Sequence, residues 1–164
     1  MLSASATDNK IAWYINNGAG NFSTEQIITT NANGAISVYA TDLDNDGDND
    51  VLSASYADDK IAWYANDGAG NFGEQQIITT NANDAYSVCA ADLDNDGDND
   101  VLSTSWYDNK IVCYKNNGAG NFAEQQIIMT NTHWATSVYA TDLDNDGDND
   151  ILFAAADDDK IVWY

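Results

Sequence analysis

Three short runs place a carboxylate at every second position. The run Asp-Leu-Asp-Asn-Asp-Gly-Asp-Asn-Asp begins at Asp42, at Asp92 and again at Asp142. In the first copy, Asp42, Asp44 and Asp46 stand at positions 1, 3 and 5. Gly47 at position 6 permits a sharp bend, Asp48 at position 7 is expected to offer its main-chain carbonyl, and Asp50 at position 9 closes the set. The same roles fall on Asp92, Asp94, Asp96, Asp98 and Asp100, and on Asp142, Asp144, Asp146, Asp148 and Asp150. Alternating carboxylates on a tight loop suit a hard cation. Ca²⁺ takes roughly six to eight oxygen ligands at about 2.3–2.6 Å, whereas Mg²⁺ demands a small rigid octahedron and keeps its waters. Three Ca²⁺ sites, one per loop, are therefore expected. A single run could be an acidic solvated turn; identical spacing in three copies argues for a ligand set. An EF-hand is excluded, because its bidentate Glu at position 12 is replaced here by Ser53, Ser103 and Phe153.

The bulk charge agrees with chelation. The chain has 27 acidic and 5 basic residues, a net charge of −22, and no proline. Each loop supplies five acids, so fifteen of the 27 lie in the three loops. Such a charge argues against nucleic acid or an anionic membrane as partner. No apolar stretch is long enough for membrane insertion. The residues from Met1 onward read as repeat sequence rather than as a signal peptide. Cys89 takes the place of Tyr39 and Tyr139, and Cys113 that of Trp13, Trp63 and Trp163, so both read as buried fillers and not as a disulfide framework.

What must position these loops is a repeat with a 50-residue offset, seen from 42 to 92 to 142. Asn/Asp-Gly-Ala-Gly-Asn-Phe ends at Phe22, Phe72 and Phe122, and a Lys-Ile segment recurs at Lys10, Lys60, Lys110 and Lys160. One period reads as four strands: Ser87 to Ala91, Val101 to Ser105, Lys110 to Tyr114 and Gln125 to Thr130. They are rich in β-branched and aromatic residues, and turn residues such as Asn117-Gly118 and Asp108-Asn109 separate them. Ile111 and Cys113 fall on one face of the third strand, Val112 and Tyr114 on the other. Both faces are apolar, as in a sheet sandwiched between neighbours. The fold class expected is all-β: tandem four-stranded antiparallel β-propeller blades forming one repeat domain over residues 1–164. It divides into a partial blade 1–34, blades 35–84 and 85–134, and a partial blade 135–164. Closed propellers take about four to eight blades. The residues here are therefore expected to pair with further blades of a longer chain, or with copies of themselves in a ring or filament.

The Asp loop, the apolar strand after it (Val51-Leu52-Ser53-Ala54) and the segment from Tyr64 to Phe72 resemble the FG-GAP and VCBS-type repeats of integrin α-subunit propellers and bacterial surface proteins. The resemblance covers essentially the whole chain. It implies a calcium-stabilised, non-enzymatic propeller used for adhesion, ligand binding or surface assembly, usually outside the cell. The Pro of the integrin-like Gly-Ala-Pro is missing; Asn21, Asn71 and Asn121 follow the Gly instead, which favours the VCBS-like branch.

In a four-stranded meander, the turns from strand one to two and from three to four share one side. The Asp loops and Gly-Ala-Gly turns are thus expected on one face, nearly invariant between copies. Divergence collects on the other face: at the positions of Tyr56, Tyr86, Trp106, Tyr107, His133 and Trp134 the copies differ, and aromatics appear in only some of them. Exposed aromatics suit sugar rings and protein contacts alike. These six are the candidate ligand patch, for a glycan in a lectin-like alternative or for a protein. The recurring Trp13, Tyr14, Trp63, Tyr64, Trp163 and Tyr164 read instead as blade-packing core. His133, the single histidine, has no partner in the sequence for catalysis, and no nucleophile–base pair or phosphate loop repeats, so an enzyme is not expected. Asn21-Phe22-Ser23 is the one Asn-x-Ser/Thr sequon.

Overall fold

The computed structural model describes residues 1–164. It is all-β, with fourteen strands: β1 (Leu2–Ser5), β2 (Lys10–Trp13), β3 (Gln26–Thr29), β4 (Ala35–Thr41), β5 (Asp50–Ser55), β6 (Lys60–Tyr64), β7 (Gln76–Thr79), β8 (Ala85–Ala91), β9 (Asp100–Ser105), β10 (Lys110–Tyr114), β11 (Gln126–Thr130), β12 (Ala135–Thr141), β13 (Asp150–Ala155) and β14 (Lys160–Trp163). They form four antiparallel sheets in meander order: β1-β2-β3, β4-β5-β6-β7, β8-β9-β10-β11 and β12-β13-β14. These are propeller-type blades, as the 50-residue repeat requires. Substantial packing runs from each sheet to the next in sequence, so the array is open.

The strands are short because turn chemistry interrupts them. Asp59 and Asn109, at φ 56° and 54°, take the left-handed conformation between the second and third strands of their blades. The second and fourth strands of the β8–β11 blade begin one residue from where the sequence reading places them, at Asp100 and Gln126, and two further details differ. The first strand of a blade begins earlier than expected, at Ala85 rather than Ser87, because a bulge between Ala85 and Ser87 lets Ala85 pair with Ser105. A single 3₁₀ turn, Tyr56–Asp58, bridges β5 and β6 where a plain turn was expected.

The core lies between sheets, and side-chain alternation builds it. Ile111 and Cys113 of β10 pack toward the β12–β14 sheet, with Phe153 and Val138. Val112 and Tyr114 pack toward the β4–β7 sheet, with Leu52, Ile61 and Trp63. A smaller cluster of Ile11, Ala35, Val51 and Tyr64 joins the first two sheets. Burying one such aliphatic side chain contributes roughly 1.5–3 kcal/mol. Both cysteines are free and buried, as read from the sequence. Burial pushes both thiols up to about 12, so they stay protonated fillers. The first strands of successive blades also share polar ties: Val88 N–H donates to Ser37 Oγ, and Val138 N–H to Ser87 Oγ, each at 3.3 Å.

The last sheet shows what the next blade does for the others. Ile61 and Trp63 are 0% and 3% exposed, whereas their equivalents Ile161 and Trp163 are 83% and 52% exposed. Trp63 and Tyr64 are core, as expected; Trp163 and Tyr164 have the same pattern but lie on an uncovered face, Tyr164 stacking on Phe153 with centroids 6.3 Å apart.

Candidate functional site

Each Asp loop joins the first strand of a blade to the second, β4 to β5, β8 to β9 and β12 to β13. Its bend is fixed by two left-handed residues: Asn45, Asn95 and Asn145 at φ 59°, 59° and 65°, then Gly47, Gly97 and Gly147 at φ 94°, 95° and 100°. The glycine is needed, since a side chain at φ near +95° would be strained. The first carboxylate then folds over the bend: Asp42 Oδ2 accepts Gly47 N–H at 2.9 Å, and Asp92 and Asp142 do the same with Gly97 and Gly147.

This turn gathers carboxylates. One oxygen from each of Asp42, Asp44 and Asp50 lies within 4.8 Å of the others; so do those of Asp92, Asp94 and Asp96, and of Asp142, Asp144 and Asp146. Positions 1 and 3 converge in every loop, joined by position 9 in the first and position 5 in the other two. Asp50 is fully buried and clamped from both sides, by Leu43 N–H on Oδ2 and Asn66 N–H on Oδ1, each at 2.9 Å. Asp100 repeats the second clamp with Asn116, and Asp150 the first with Leu143. The position-7 side chains turn elsewhere. Asp98 Oδ1 accepts Asn45 Nδ2 and Asp148 Oδ1 accepts Asn95 Nδ2, each at 2.6 Å, linking each loop to the loop of the preceding blade. Asp48 lies against Gly68, where a Cβ would collide with its carboxylate.

The donor set fits a hard cation. Asp42 Oδ1, Asp44 Oδ1 and Asp100 Oδ2 are buried without a hydrogen-bond partner. A buried carboxylate oxygen left unpaired is costly, and a cation supplies the missing interaction. Burial pushes Asp50 up to about 6, with Asp44 and Asp46 adding to the rise. Asp44, Asp100 and Asp144 are pushed up too, by desolvation first and then by neighbouring loop carboxylates. The sequence reading missed Lys115. Its ammonium lies 2.7 Å from Asp94 Oδ2 and holds that carboxyl below the usual range. Equivalent positions carry Ile15 and Ala65, so comparing copies was the signal that could have found it.

The opposite end of the blades holds the divergent residues. Links between blades hydrogen-bond to the turns between second and third strands: Tyr56 N–H donates to Gly34 O, Trp106 N–H to Asp84 O and Ala156 N–H to Trp134 O. Trp106 and Trp134 come together, ring centroids 5.2 Å apart and planes tilted by 34°. Trp134 holds φ 60°, in the place of Gly34 and Asp84. Tyr56, Tyr86 and Trp106 line one cleft with Ile36 and Asp84. His133 Nδ1 lies 3.0 Å from Asp158 Oδ1, a partner the sequence did not reveal. Tyr107 is exposed and belongs neither to the tryptophan pair nor to the lining of the cleft.

Meandering four-stranded sheets, stacked face to face at a 50-residue offset, define the chain as a β-propeller-type repeat protein. The FG-GAP-like repeat family matches it at residues 1–53, 42–103 and 92–153, and the chain belongs to that family. Two solved structures share the fold. One is an Agrocybe aegerita lectin described as specifically recognising non-reducing terminal N-acetylglucosamine, with a TM-score of 0.61, 18% identity, and coverage of 93% of this chain and 46% of the lectin. The other is the Photorhabdus luminescens Tc holotoxin pore, with a TM-score of 0.52, 15% identity, and coverage of 94% of this chain and 8% of the toxin chain. The chain thus spans under half the length of either. No curated protein matches it by sequence. No helix is long and apolar enough to cross a membrane.

Proposed function

We propose that the chain is a calcium-stabilised, non-enzymatic FG-GAP-like module for adhesion or surface assembly outside the cell. The observation that carries this reading is the convergence of carboxylates in all three loops, with buried oxygens left unpaired in the first two. Asp42, Asp44 and Asp50, with Asp46 and the Asp48 carbonyl, would hold the first ion, and the corresponding residues the second and third. The bound ion supplies positive charge where like charges otherwise repel, so its role is structural. Ca²⁺ sites of modest affinity suit a calcium-rich exterior. Isothermal titration of chelator-treated protein should give three Ca²⁺ per chain. Fewer than two, with the fold intact by circular dichroism, would sink the reading.

Assembly has its own support. The Ile161 and Trp163 face is built like the buried face of Ile61 and Trp63, so a further blade or a second copy is its natural cover. Light scattering in millimolar Ca²⁺ should show discrete multiples of 17.7 kDa or a polymer. A monomer would remove self-assembly from the proposal.

A second reading, glycan binding on the aromatic face, is favoured by the Trp106–Trp134 pair, whose second ring is 46% exposed. A glycan array decides between the two, since adhesion through protein contacts leaves it blank.

A further inference from the structure

The gap between the β4–β7 and β8–β11 sheets carries an aromatic-lined cleft at the end away from the Asp loops. Ile36 and Tyr56 form one wall; Asp84, Tyr86 and Trp106 form the other; the space is about 340 Å³. Its lining is not repeated at the other two gaps. At the next gap the place of Asp84 is taken by Trp134, which packs on Trp106, and Tyr86 and Trp106 give way to Thr136 and Ala156. At the preceding gap Tyr56 is matched by Ala6, and Asp84 by Gly34.

The cleft's chemistry is specific. Three aromatic rings surround it, and its only charge is the Asp84 carboxylate. Asp84 is held in place by its main chain: its N–H donates to Asp59 Oδ1 at 2.9 Å and its carbonyl accepts Trp106 N–H at 3.0 Å. Its carboxylate oxygens make no hydrogen bond or ion pair. No basic residue lines the space, and Lys60, on the neighbouring turn, is engaged by Asp58 at 2.7 Å. The whole molecule carries −22.

Aromatic faces attract cations through their quadrupole, and a carboxylate adds direct Coulomb attraction. A pyranose would bring several hydroxyls into a cleft whose side-chain polar groups are one carboxylate, two phenols and one indole N–H, too few to pair them all. A methylated ammonium has an apolar surface, carries charge, and needs no hydrogen bond. We propose that the cleft of Ile36, Tyr56, Asp84, Tyr86 and Trp106 binds an N-methylated alkylammonium group, such as a quaternary ammonium head. The inference rests on the reading of this face as the ligand face, and not on the calcium reading, whose loops lie at the other end of the blades.

The test is a titration with tetramethylammonium chloride, followed at the Trp106 indole N–H by NMR, at fixed ionic strength and 1 mM Ca²⁺. Saturation in the millimolar range is expected, with no saturation by the neutral shape match 2,2-dimethylpropanol. Asp84→Asn keeps the side-chain shape, and Asn tolerates the φ of 52° found there. That variant should weaken binding at least tenfold, as should Tyr86→Ala, with the three-ion calcium stoichiometry unchanged in both. Equal binding of the neutral isostere, or an unaltered Asp84→Asn variant, overturns the proposal. So does saturation by N-acetylglucosamine in place of the cation, which would make the cleft a sugar site. Loss of calcium binding with an intact ammonium titration would instead count against the calcium reading alone.

Discussion

The two ends of the blades follow opposite rules. At the Asp-loop end the same residues recur in each full loop, and the same hydrogen bonds recur with them: the position-1 carboxylate over the glycine, and the position-4 Asn to the position-7 Asp of the next loop. At the other end the main-chain ties from link to turn recur, but the side chains differ between copies and their contacts are singular: one tryptophan pair, one histidine–aspartate pair, one aromatic cleft. A requirement shared by every blade, such as bending a loop that gathers like charges, yields repetition. A surface that needs only one binding place per molecule is free to differ. The loop end is thus read as what holds the blades, and the aromatic end as what the blades present.

The largest effect expected is from removing calcium. A ligand held only by the native state at 100 times its Kd stabilises by about 2.7 kcal/mol per site, so three sites give about 8 kcal/mol. At about 2–4 °C per kcal/mol for a chain of this size, Tm should fall by at least about 15 °C in excess chelator. Calorimetry with metal loss verified is the check, and an unchanged melt would erase the contrast between the ends. Next comes Asp100→Ala. It removes a buried carboxylate with an unpaired oxygen, and should delete one Ca²⁺ from the titration and lower Tm by about 4–10 °C, as expected for losing one site. Smaller again is Lys115→Ala. The lysine competes for Asp94, so its removal should tighten the second site about three- to tenfold and leave the other two unchanged. An identical second-site affinity would show that the exposed pair is without consequence, as many are.

Much of this was legible beforehand because it repeats. The strands, the facing of Ile111 against Val112, the burial of Cys89 and Cys113, and the common side of the Asp and Gly-Ala-Gly turns all follow from period two and the 50-residue offset. What the sequence could not give was anything set by contact between copies. The main-chain role expected of Asp98 and Asp148 left their side chains unassigned, and these reach asparagines 53 residues away. Trp163 has the pattern of Trp63, and only the absence of a covering sheet exposes it. Asp84 and Ile36 stood out as variable positions, but variability alone does not show that two blades bring them to one cleft. The aromatic patch was read as six residues; the structure separates it into a tryptophan pair, a cleft and two outlying side chains.

The smallest effect expected is the sharpest test of the aromatic end. Trp134 holds φ 60°, a conformation that costs a non-glycine residue about 1–2 kcal/mol. Its ring, packed on Trp106 but half exposed, returns an aromatic contact worth about 0.5–1.5 kcal/mol beyond its buried area. Trp134→Gly restores the residue of the first copy, Gly34, and relieves the backbone while losing the contact. The two terms nearly cancel, so the melt should move by no more than about 3 °C. If the ring is there for packing, Tm drops by far more, and the residue joins Trp63 in the core. A flat melt leaves the strained backbone unrewarded by stability, as expected of a side chain held for contact with a partner.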